Sequence, residues 1–345
     1  MRSPSKIVKG RRTGRWSRVL VAAALTATVA ACGGGSEEPS GTASSSAAPG
    51  AFPVTIEHKY GSTTVTKASS RVVTLGLSDQ DTVLALGIKP VGAVDWFGER
   101  PFGNWAWTKD LWGTTPPEIV GERDDYNVEK IVALKPDLII AQYSGMTQEQ
   151  YTTLSKIAPV VAQAKQYDDY ATPWDEMAKV IGRALGAEPK VDQLLAAIDK
   201  RLTEIRQQHP EFATQTAVVA DPSEPGTYAA FAKGDPKAQL LGEMGYKLSD
   251  QVEQLAGKEI AAVVSSERLD LLDVDRLVLL TADPAVEPRV KADPVYAALK
   301  VAKEGRAVFV PYMEPPVGAA LSFVTVLSVP YAIDQLLPML VAPGR

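Results

Sequence analysis

The chain has 345 residues, with 36 Lys and Arg against 41 Asp and Glu, and a formal net charge of −5. This length is enough for two lobes, each with a substantial apolar core. The acidic balance argues against a nucleic-acid partner, because binding a phosphate backbone requires a positive surface. The chain contains one cysteine, which excludes an intrachain disulfide, so packing must stabilise the fold.

The first 31 residues have the pattern of a signal peptide. Seven Lys and Arg and no acidic residue precede Val19, and Val19 to Ala31 is apolar except for two threonines. This run of 13 residues is too short to span a bilayer, which takes about 20. Val29-Ala30-Ala31-Cys32 resembles the bacterial lipobox, so Cys32 is the predicted lipid attachment point. The alternative is a signal peptide that ends near a free cysteine by chance.

Residues 32–53 are rich in Gly, Ser, Ala and Pro and predict a flexible tether. Without residues 1–31 the chain keeps 29 basic and 41 acidic side chains, a charge of −12. The removal of the basic leader therefore strengthens the argument against nucleic acid.

Residues 54–172 predict an N-terminal α/β lobe. A hairpin is expected over Val54–Val65, around Gly61, and short apolar runs then alternate with helical stretches. Strand, helix and strand in this order is the βαβ pattern of a parallel sheet. The expected strands lie at 71–76, 90–94, 137–141 and 160–162, and the expected helices at 79–86, 128–134 and 148–157.

Residues 173–210 predict connecting helices, of which the longer, at about 189–208, would form a spine about 30 Å long. Its apolar residues from Val191 to Ile205 follow spacings of three and four. Residues 211–345 predict a C-terminal α/β lobe, with strands at 216–220, 276–280 and 307–310 and helices at 237–244, 295–301 and 321–340, the last interrupted by Pro330. The predicted fold is α/β, with two Rossmann-like βαβ lobes joined by one long rigid helix and a ligand cleft between the lobes.

The two lobes contain similar segments. Glu129 lies eight residues before Asp137, and Glu267 lies eight residues before Asp275, in each case with a helix expected to precede a strand. Asn127 and Ser265, two residues before each glutamate, are N-cap candidates. Either glutamate alone is explained by the helix dipole, but two at matched positions suggest a shared role.

A family resemblance follows from these features. The lipobox, the paired lobes, the single spine and Asn127-Val-Glu-Lys-Ile-Val-Ala-Leu-Lys-Pro-Asp-Leu-Ile-Ile resemble the substrate-binding lipoproteins of ABC importers for iron-siderophores, haem and cobalamin. The likeness extends over the mature chain, and Ser265 to Leu269 is a looser match. It implies a monomeric, non-enzymatic receptor, anchored by lipid at the outer face of a bacterial cell membrane. It also implies that Glu129 and Glu267 dock onto arginines of the permease.

The loop after the strand at 90–94 is the main candidate for a ligand wall. Six large aromatic residues fall within the 17 positions from Trp96 to Trp112, and aromatic walls suit large, partly apolar ligands. Trp107 and Trp112 are expected to form a small core beneath the loop. The predicted ligand-binding residues are Trp96, Phe97, Arg100, Trp105, Arg123, Tyr143, Tyr228, Phe231, Lys233 and Tyr312.

The ligand class remains open at this point. Arg100, Arg123 and Lys233 would suit an anionic ferric catecholate or carboxylate, whereas the excess of aromatic side chains favours a neutral ferric hydroxamate. Haem or cobalamin is an alternative, with His58 as a possible ligand to the metal, although a satisfied surface histidine is the simpler interpretation. A transition-metal receptor or an enzyme is disfavoured, because His58 and His209 are the only histidines and no catalytic motif appears.

Overall fold

A computed structural model of the chain describes residues 50–98, 100–222 and 224–342. The predicted signal peptide, Cys32 and most of the tether lie outside these residues. No helix within the described ranges is both long enough and apolar enough to cross a membrane.

The strands of the described residues comprise a two-stranded hairpin and two six-stranded sheets. In chain order they are β1 (Val54–His58), β2 (Gly61–Val65), β3 (Val72–Thr74), β4 (Gly92–Asp95), β5 (Glu118–Glu122), β6 (Asp125–Tyr126), β7 (Leu138–Ala141), β8 (Val160–Ala162), β9 (Thr216–Asp221), β10 (Thr227–Phe231), β11 (Lys247–Leu248), β12 (Ala261–Ser265), β13 (Arg276–Thr281) and β14 (Ala307–Pro311).

The helices of the same residues cover and connect the sheets. The α-helices are α1 (Asp79–Ala85), α2 (Lys109–Trp112), α3 (Val128–Leu134), α4 (Gln148–Leu154), α5 (Trp174–Ala184), α6 (Glu188–Gln208), α7 (Pro236–Glu243), α8 (Asp250–Ala256), α9 (Val286–Ala292), α10 (Pro294–Ala298), α11 (Lys300–Lys303), α12 (Val317–Ser322) and α13 (Ser328–Val341). Short 3-10 helices occupy Pro101–Gly103, Pro210–Thr214 and Ser266–Leu272.

The sheet of the first lobe has the order β6-β5-β4-β3-β7-β8. All neighbouring pairs are parallel except β5 with β6. The strands β3, β7 and β8 are buried along their whole length, as expected for parallel strands covered on both faces. The predicted hairpin and βαβ pattern of this lobe are confirmed, whereas β5 and β6 lack a clear apolar pattern and were not predicted.

The sheet of the second lobe has the order β12-β10-β9-β13-β14, with β11 also paired to β9. The strands β9, β13 and β14 are parallel, but β10 runs antiparallel to both β9 and β12. This lobe is therefore a mixed sheet rather than a uniform βαβ repeat. Tyr228 and Phe231 follow the first strand of this lobe and belong to β10, a strand that was not predicted.

The spine α6 begins one residue before its predicted start and ends at Gln208. Its first half contributes Val191 to the core of the first lobe, where Leu194 and Leu195 also pack. Its second half contributes Ile198 and Leu202 to the core of the second lobe. One amphipathic helix thus anchors both lobes by burying successive parts of the same apolar stripe.

The C-terminal helix differs from its prediction. It is two helices, α12 and α13, separated by Phe323–Leu327, and Pro330 lies in the first turn of α13 rather than at the break. Proline is tolerated there because the first amides of a helix have no partner within the helix. The intervening segment places Val326 in the core of the first lobe. The spine is therefore not the sole connection between the lobes within the described residues.

The similar segments of the two lobes are only partly alike in structure. Asn127 caps α3 by accepting a hydrogen bond from the Lys130 amide, as predicted. Ser265 makes no such bond, and a distorted 3-10 helix follows it. The aspartates are more alike, since Asp137 accepts from the Arg71 amide at 2.9 Å and Asp275 accepts from the Thr216 amide at 2.8 Å. Each aspartate thus joins its own strand to the neighbouring parallel strand, β7 to β3 and β13 to β9.

Candidate functional site

A cavity of about 960 Å³ lies between the lobes, beside α5 and α6, and is called the interlobe cavity below. Its volume is at the upper end of the range usual for small-molecule sites. Both lobes and both connecting helices form its wall, with Ser78, Tyr143, Tyr170, Trp174, Lys179, Asp192, Asp199, Arg206, Asp235, Lys237, Ser322, Phe323 and Val324 among the lining residues.

The first-lobe wall of the cavity is built around two tyrosines. Tyr143 follows β7 and packs edge-on against Tyr170 with ring centroids 5.7 Å apart. Trp96 also packs edge-on against Tyr170, with ring centroids 5.9 Å apart. Tyr170 is 38% exposed, and its hydroxyl donates a hydrogen bond to Asp124. The pKa of Tyr143 is raised, mainly by burial. Its phenol therefore stays protonated at neutral pH and can donate a hydrogen bond.

The charges on the cavity wall are mainly negative. Five acidic and three basic side chains line it, and each basic group already has a protein partner. Lys179 contacts Asp175 at 2.8 Å, and Lys237 contacts Asp235 at 3.0 Å. Arg206 donates to the carbonyl of Glu243 and to the hydroxyl of Thr203. Two of the three basic groups are therefore paired with carboxylates, and acidic groups outnumber basic groups on the wall.

The predicted aromatic wall has a different position from the one expected. Phe97 and Trp105 pack against Phe323 of the second lobe, with ring centroids 5.1 Å and 5.5 Å apart. Trp105 is 3% exposed and stacks on Trp107 at 5.2 Å. These rings form an aromatic seam between the lobes, and only Phe323 of this seam also lines the cavity.

Arg100 pairs across the lobes with Glu314 and lies over the ring of Trp105 at 5.9 Å. Trp112, expected to form a core beneath the loop, is buried against Phe102, and this expectation is confirmed. Trp107, with the same expectation, instead reaches the second-lobe core and lies 5.4 Å from Tyr331.

The remaining predicted ligand residues do not line the interlobe cavity. Tyr228 is 4% exposed within the second-lobe core, which places it away from any ligand. Lys233 is paired with Asp250 at 2.7 Å. Phe231 lies beneath Lys237, whose ammonium group is 4.0 Å from the ring centroid, so it supports the wall from behind.

Two further predicted residues lie near the site without forming part of its wall. Tyr312 packs behind Phe323 at 6.4 Å. Arg123 is exposed directly after β5, where its amide donates to the carbonyl of Asp95, the last residue of β4, at 2.9 Å.

His58 is buried rather than a surface residue. It is 1% exposed, its Nε2 atom lies 2.9 Å from the Thr63 hydroxyl, and its Nδ1 atom accepts from the Tyr60 amide. Burial is the main cause that lowers its pKa, so the ring is neutral and both nitrogens are engaged. It cannot serve as a ligand to haem iron or cobalt. No group of three or more His, Cys, Asp or Glu side chains suited to a metal ion occurs in the described part of the chain.

The two predicted docking carboxylates are exposed. Glu129 lies in the first turn of α3 and Glu267 in the 3-10 helix after β12. Neither forms an ion pair or a hydrogen bond with another side chain within the described residues. Both charges are therefore available to a partner.

Sequence reasoning missed several residues of the cavity wall. Tyr170 follows β8, and its position after the carboxyl end of a parallel strand is a signal that could have identified it. Asp235 and Lys237 start α7, and Phe323 lies in the break that was predicted as helix. Only Tyr143 among the ten predicted ligand residues lines the interlobe cavity.

Two α/β lobes, a connecting helix and a large cavity between the lobes define a solute-binding protein. The chain belongs to the periplasmic binding protein family, whose model matches residues 72–312. It is 28% identical to the putative ABC transporter substrate-binding lipoprotein YhfQ of Bacillus subtilis (strain 168) over 267 residues, which cover 74% of this chain and 80% of that protein.

Solved structures agree with this assignment. A periplasmic solute binding protein from Mycobacterium smegmatis has a TM-score of 0.73 and 31% identity, covering 83% of this chain and 97% of its own. PiaA of Streptococcus pneumoniae in complex with ferrichrome has a TM-score of 0.65 at 27% identity, covering 83% and 97%. SirA of Staphylococcus aureus with staphyloferrin B has a TM-score of 0.67 at 25% identity, covering 85% and 100%.

Proposed function

We propose that this protein is the extracytoplasmic receptor of an ABC importer, and that it captures a ferric siderophore and delivers it to the membrane permease. The observation that carries the proposal is the interlobe cavity, large enough for an iron complex and walled by both lobes. The related proteins PiaA and SirA, crystallised with ferrichrome and staphyloferrin B, support the ligand class.

Within that class we propose a neutral hydroxamate complex rather than an anionic catecholate or carboxylate. The cavity wall carries more acidic than basic groups, and its lysines at 179 and 237 are paired with aspartates. An anionic complex that binds these lysines would have to displace their aspartates, and Asp192 and Asp199 would repel it, at an electrostatic cost. A neutral complex bears no such cost and can pack against Tyr143 and Tyr170.

The test is a titration of the purified protein, followed by quenching of tryptophan fluorescence. The probes are ferrichrome, which is a neutral hydroxamate complex, ferrioxamine B, a hydroxamate complex with a free ammonium group, a ferric enterobactin-type catecholate, ferric citrate, haem, cobalamin and free metal ions. We expect saturable binding of both hydroxamate complexes below micromolar concentration and weaker binding of the catecholate and citrate complexes. If no ferric siderophore binds below micromolar concentration, the proposal fails.

A charge variant makes the hydroxamate choice testable on its own. In Asp199→Lys the cavity wall gains positive charge, so affinity for the anionic catecholate should rise while affinity for the neutral ferrichrome changes little. Glu204→Lys, on the same helix but outside the cavity wall, makes the same change in net charge and is the control. An unaltered preference in Asp199→Lys would contradict the electrostatic argument.

We further propose that the mature protein is a monomer, held at the outer face of the cell membrane by lipid on Cys32. Tethering raises the local concentration of the receptor at its permease, and Glu129 and Glu267 would dock onto arginines there. Labelling with radioactive palmitate should be lost in Cys32→Ser. Retained labelling would rule out Cys32 as the attachment site.

A further inference from the structure

The aromatic seam between the lobes has a buried carboxylate at its centre. Asp81 of α1 is 1% exposed, and its Oδ2 atom accepts two hydrogen bonds of 2.8 Å. One comes from the Trp107 indole nitrogen and the other from the Thr325 hydroxyl. Its Oδ1 atom accepts from the Gln80 side chain at 3.2 Å. A buried carboxylate with these donors is satisfied as an acceptor, and loss of a donor would leave charge unpaired.

Thr325 belongs to the segment that leaves the second lobe between α12 and α13. Its hydroxyl accepts from the amides of Leu327 and Ser328 at 3.2 Å and 3.0 Å, and its own amide donates to the Ser328 hydroxyl. With its acceptor lone pairs directed to these amides, the hydroxyl proton is free to be donated to Asp81. The N-terminal end of α13 thus fixes the orientation of the bond that crosses the lobes.

The same region contains a reciprocal exchange of apolar side chains. Trp107 of the first lobe packs against the second-lobe core, and Val326 of the second lobe is part of the first-lobe core. Asp81 bonds to Trp107 and to Thr325, the neighbour of Val326. It therefore connects both halves of the exchange, and Phe323, two residues before Thr325, lines the interlobe cavity.

We infer that Asp81 is a positioning residue for the interlobe cavity, because its carboxylate ties Trp107 of the first lobe to Thr325 of the second and so fixes the angle between the lobes. The inference goes beyond the proposed function in assigning a role to a residue that is not part of the cavity wall. It relies on the proposed function only for the expected effect on ligand affinity.

The test measures the distance between the lobes without a ligand. The full chain carrying Cys32→Ser has no cysteine, so spin labels can be attached at Thr152→Cys in α4 and Leu255→Cys in α8. Double electron–electron resonance then reports the distribution of interlobe distances. We expect a narrow distribution in the otherwise unmodified chain and a broader or shifted one in Thr325→Val and in Asp81→Asn.

Two variants separate positioning from a general loss of stability. Thr74→Val removes the hydroxyl of another buried threonine, one with no hydrogen-bond partner, and should leave the distribution unchanged. Thr325→Ser keeps the hydroxyl and should show the narrow distribution of the unmodified chain. This comparison does not depend on whether Asp81→Asn folds. A Thr325→Val distribution identical to that of the unmodified chain would overturn the inference.

A second measurement concerns the cavity. Ferrioxamine B affinity should fall about tenfold in Thr325→Val, in line with the loss of a hydrogen bond to a charged group, and should recover in Thr325→Ser. Equal affinities in Thr325→Val and Thr74→Val would show that Asp81 does not position the cavity. The distance measurement uses no ligand, so failure of the proposed ligand class would leave its result valid.

Discussion

The Oδ1 atom of Asp79 accepts a hydrogen bond of 3.1 Å from the backbone amide of Tyr143. Its Oδ2 atom accepts from the amides of Gly76 and Gln142 at 3.1 Å and 2.9 Å. One buried carboxylate thus joins the turn after β3 to the loop after β7. Because Tyr143 lines the interlobe cavity, this carboxylate holds part of the ligand wall in position.

Asp79→Asn should destabilise the fold and weaken ligand binding together. The new amide nitrogen cannot accept a hydrogen bond, so at least one backbone donor loses its partner, at a cost of about 1–3 kcal/mol. Urea unfolding would measure the stability, and ferrioxamine B titration the affinity. Asp125→Asn, at an exposed aspartate, is the matched control and should change neither.

The stability of the protein should fall as the pH rises from about 4 to about 7. Burial raises the pKa of Asp79 to about 6 and that of Asp81 to about 7. The folded state therefore keeps protons that the unfolded state has already released, and unfolding is favoured as the pH rises through this window. Urea midpoints at pH 5 and pH 8 measure the effect.

The Asp81→Asn variant should show a smaller decline between these pH values, whatever its absolute stability. His58 has the opposite effect on the pH dependence of stability. Burial lowers its pKa, so the folded state binds this proton less readily than the unfolded state, and stability decreases as the pH falls. A decline in Asp81→Asn as steep as in the unmodified protein would contradict the assignment to Asp81.

Tyr170→Ala should reduce ferrioxamine B affinity about tenfold, because it removes an aromatic face from the cavity wall. Tyr170 has a positive φ of 64°, a conformation that glycine adopts without strain. Tyr170→Gly should therefore be more stable than Tyr170→Ala by about 1 kcal/mol, with the same loss of affinity. Tyr167→Ala, in the same loop but outside the cavity wall, is the control for affinity.

Glu129→Arg should abolish uptake by whole cells and leave ligand affinity unchanged. The exposed carboxylate has no partner within the described residues, so its reversal disturbs no internal contact and would repel permease arginines. Glu204→Arg, on the exposed face of the spine, is the control of equal charge change. Normal uptake of labelled ferric siderophore by the Glu129→Arg strain would contradict the proposed role of Glu129 in docking.

Local sequence patterns accounted for much of the fold. The spine was predictable because its apolar residues from Val191 to Ile205 follow helical spacings of three and four. The same residues pack into both cores. Buried strands such as β7 were predictable because parallel strands are apolar along their whole length. The strands β5, β6, β10 and β12, which form one side of each sheet, were not predicted, and none of them is buried along its whole length.

The candidate site was much less predictable than the fold. The aromatic loop from Trp96 to Trp107 was identified by composition, but composition does not distinguish rings that contact a ligand from rings that contact another lobe. Trp105 packs against Phe323, which is more than 200 residues away in the sequence. Such a pairing depends on which distant segments the fold brings together, and the break between α12 and α13 that allows it lies within the segment that was predicted as one helix.

The sequence by itself determined the two α/β lobes, the spine and the acidic character of the chain, because these follow from short-range periodicity and residue counts. Only the tertiary structure decided which side chains face the interlobe cavity and that Asp81, Trp107 and Thr325 meet between the lobes. The physical reason is that cavity walls and buried hydrogen bonds are made by side chains from distant segments. Their proximity depends on how the two sheets pack and on where the chain crosses from one lobe to the other.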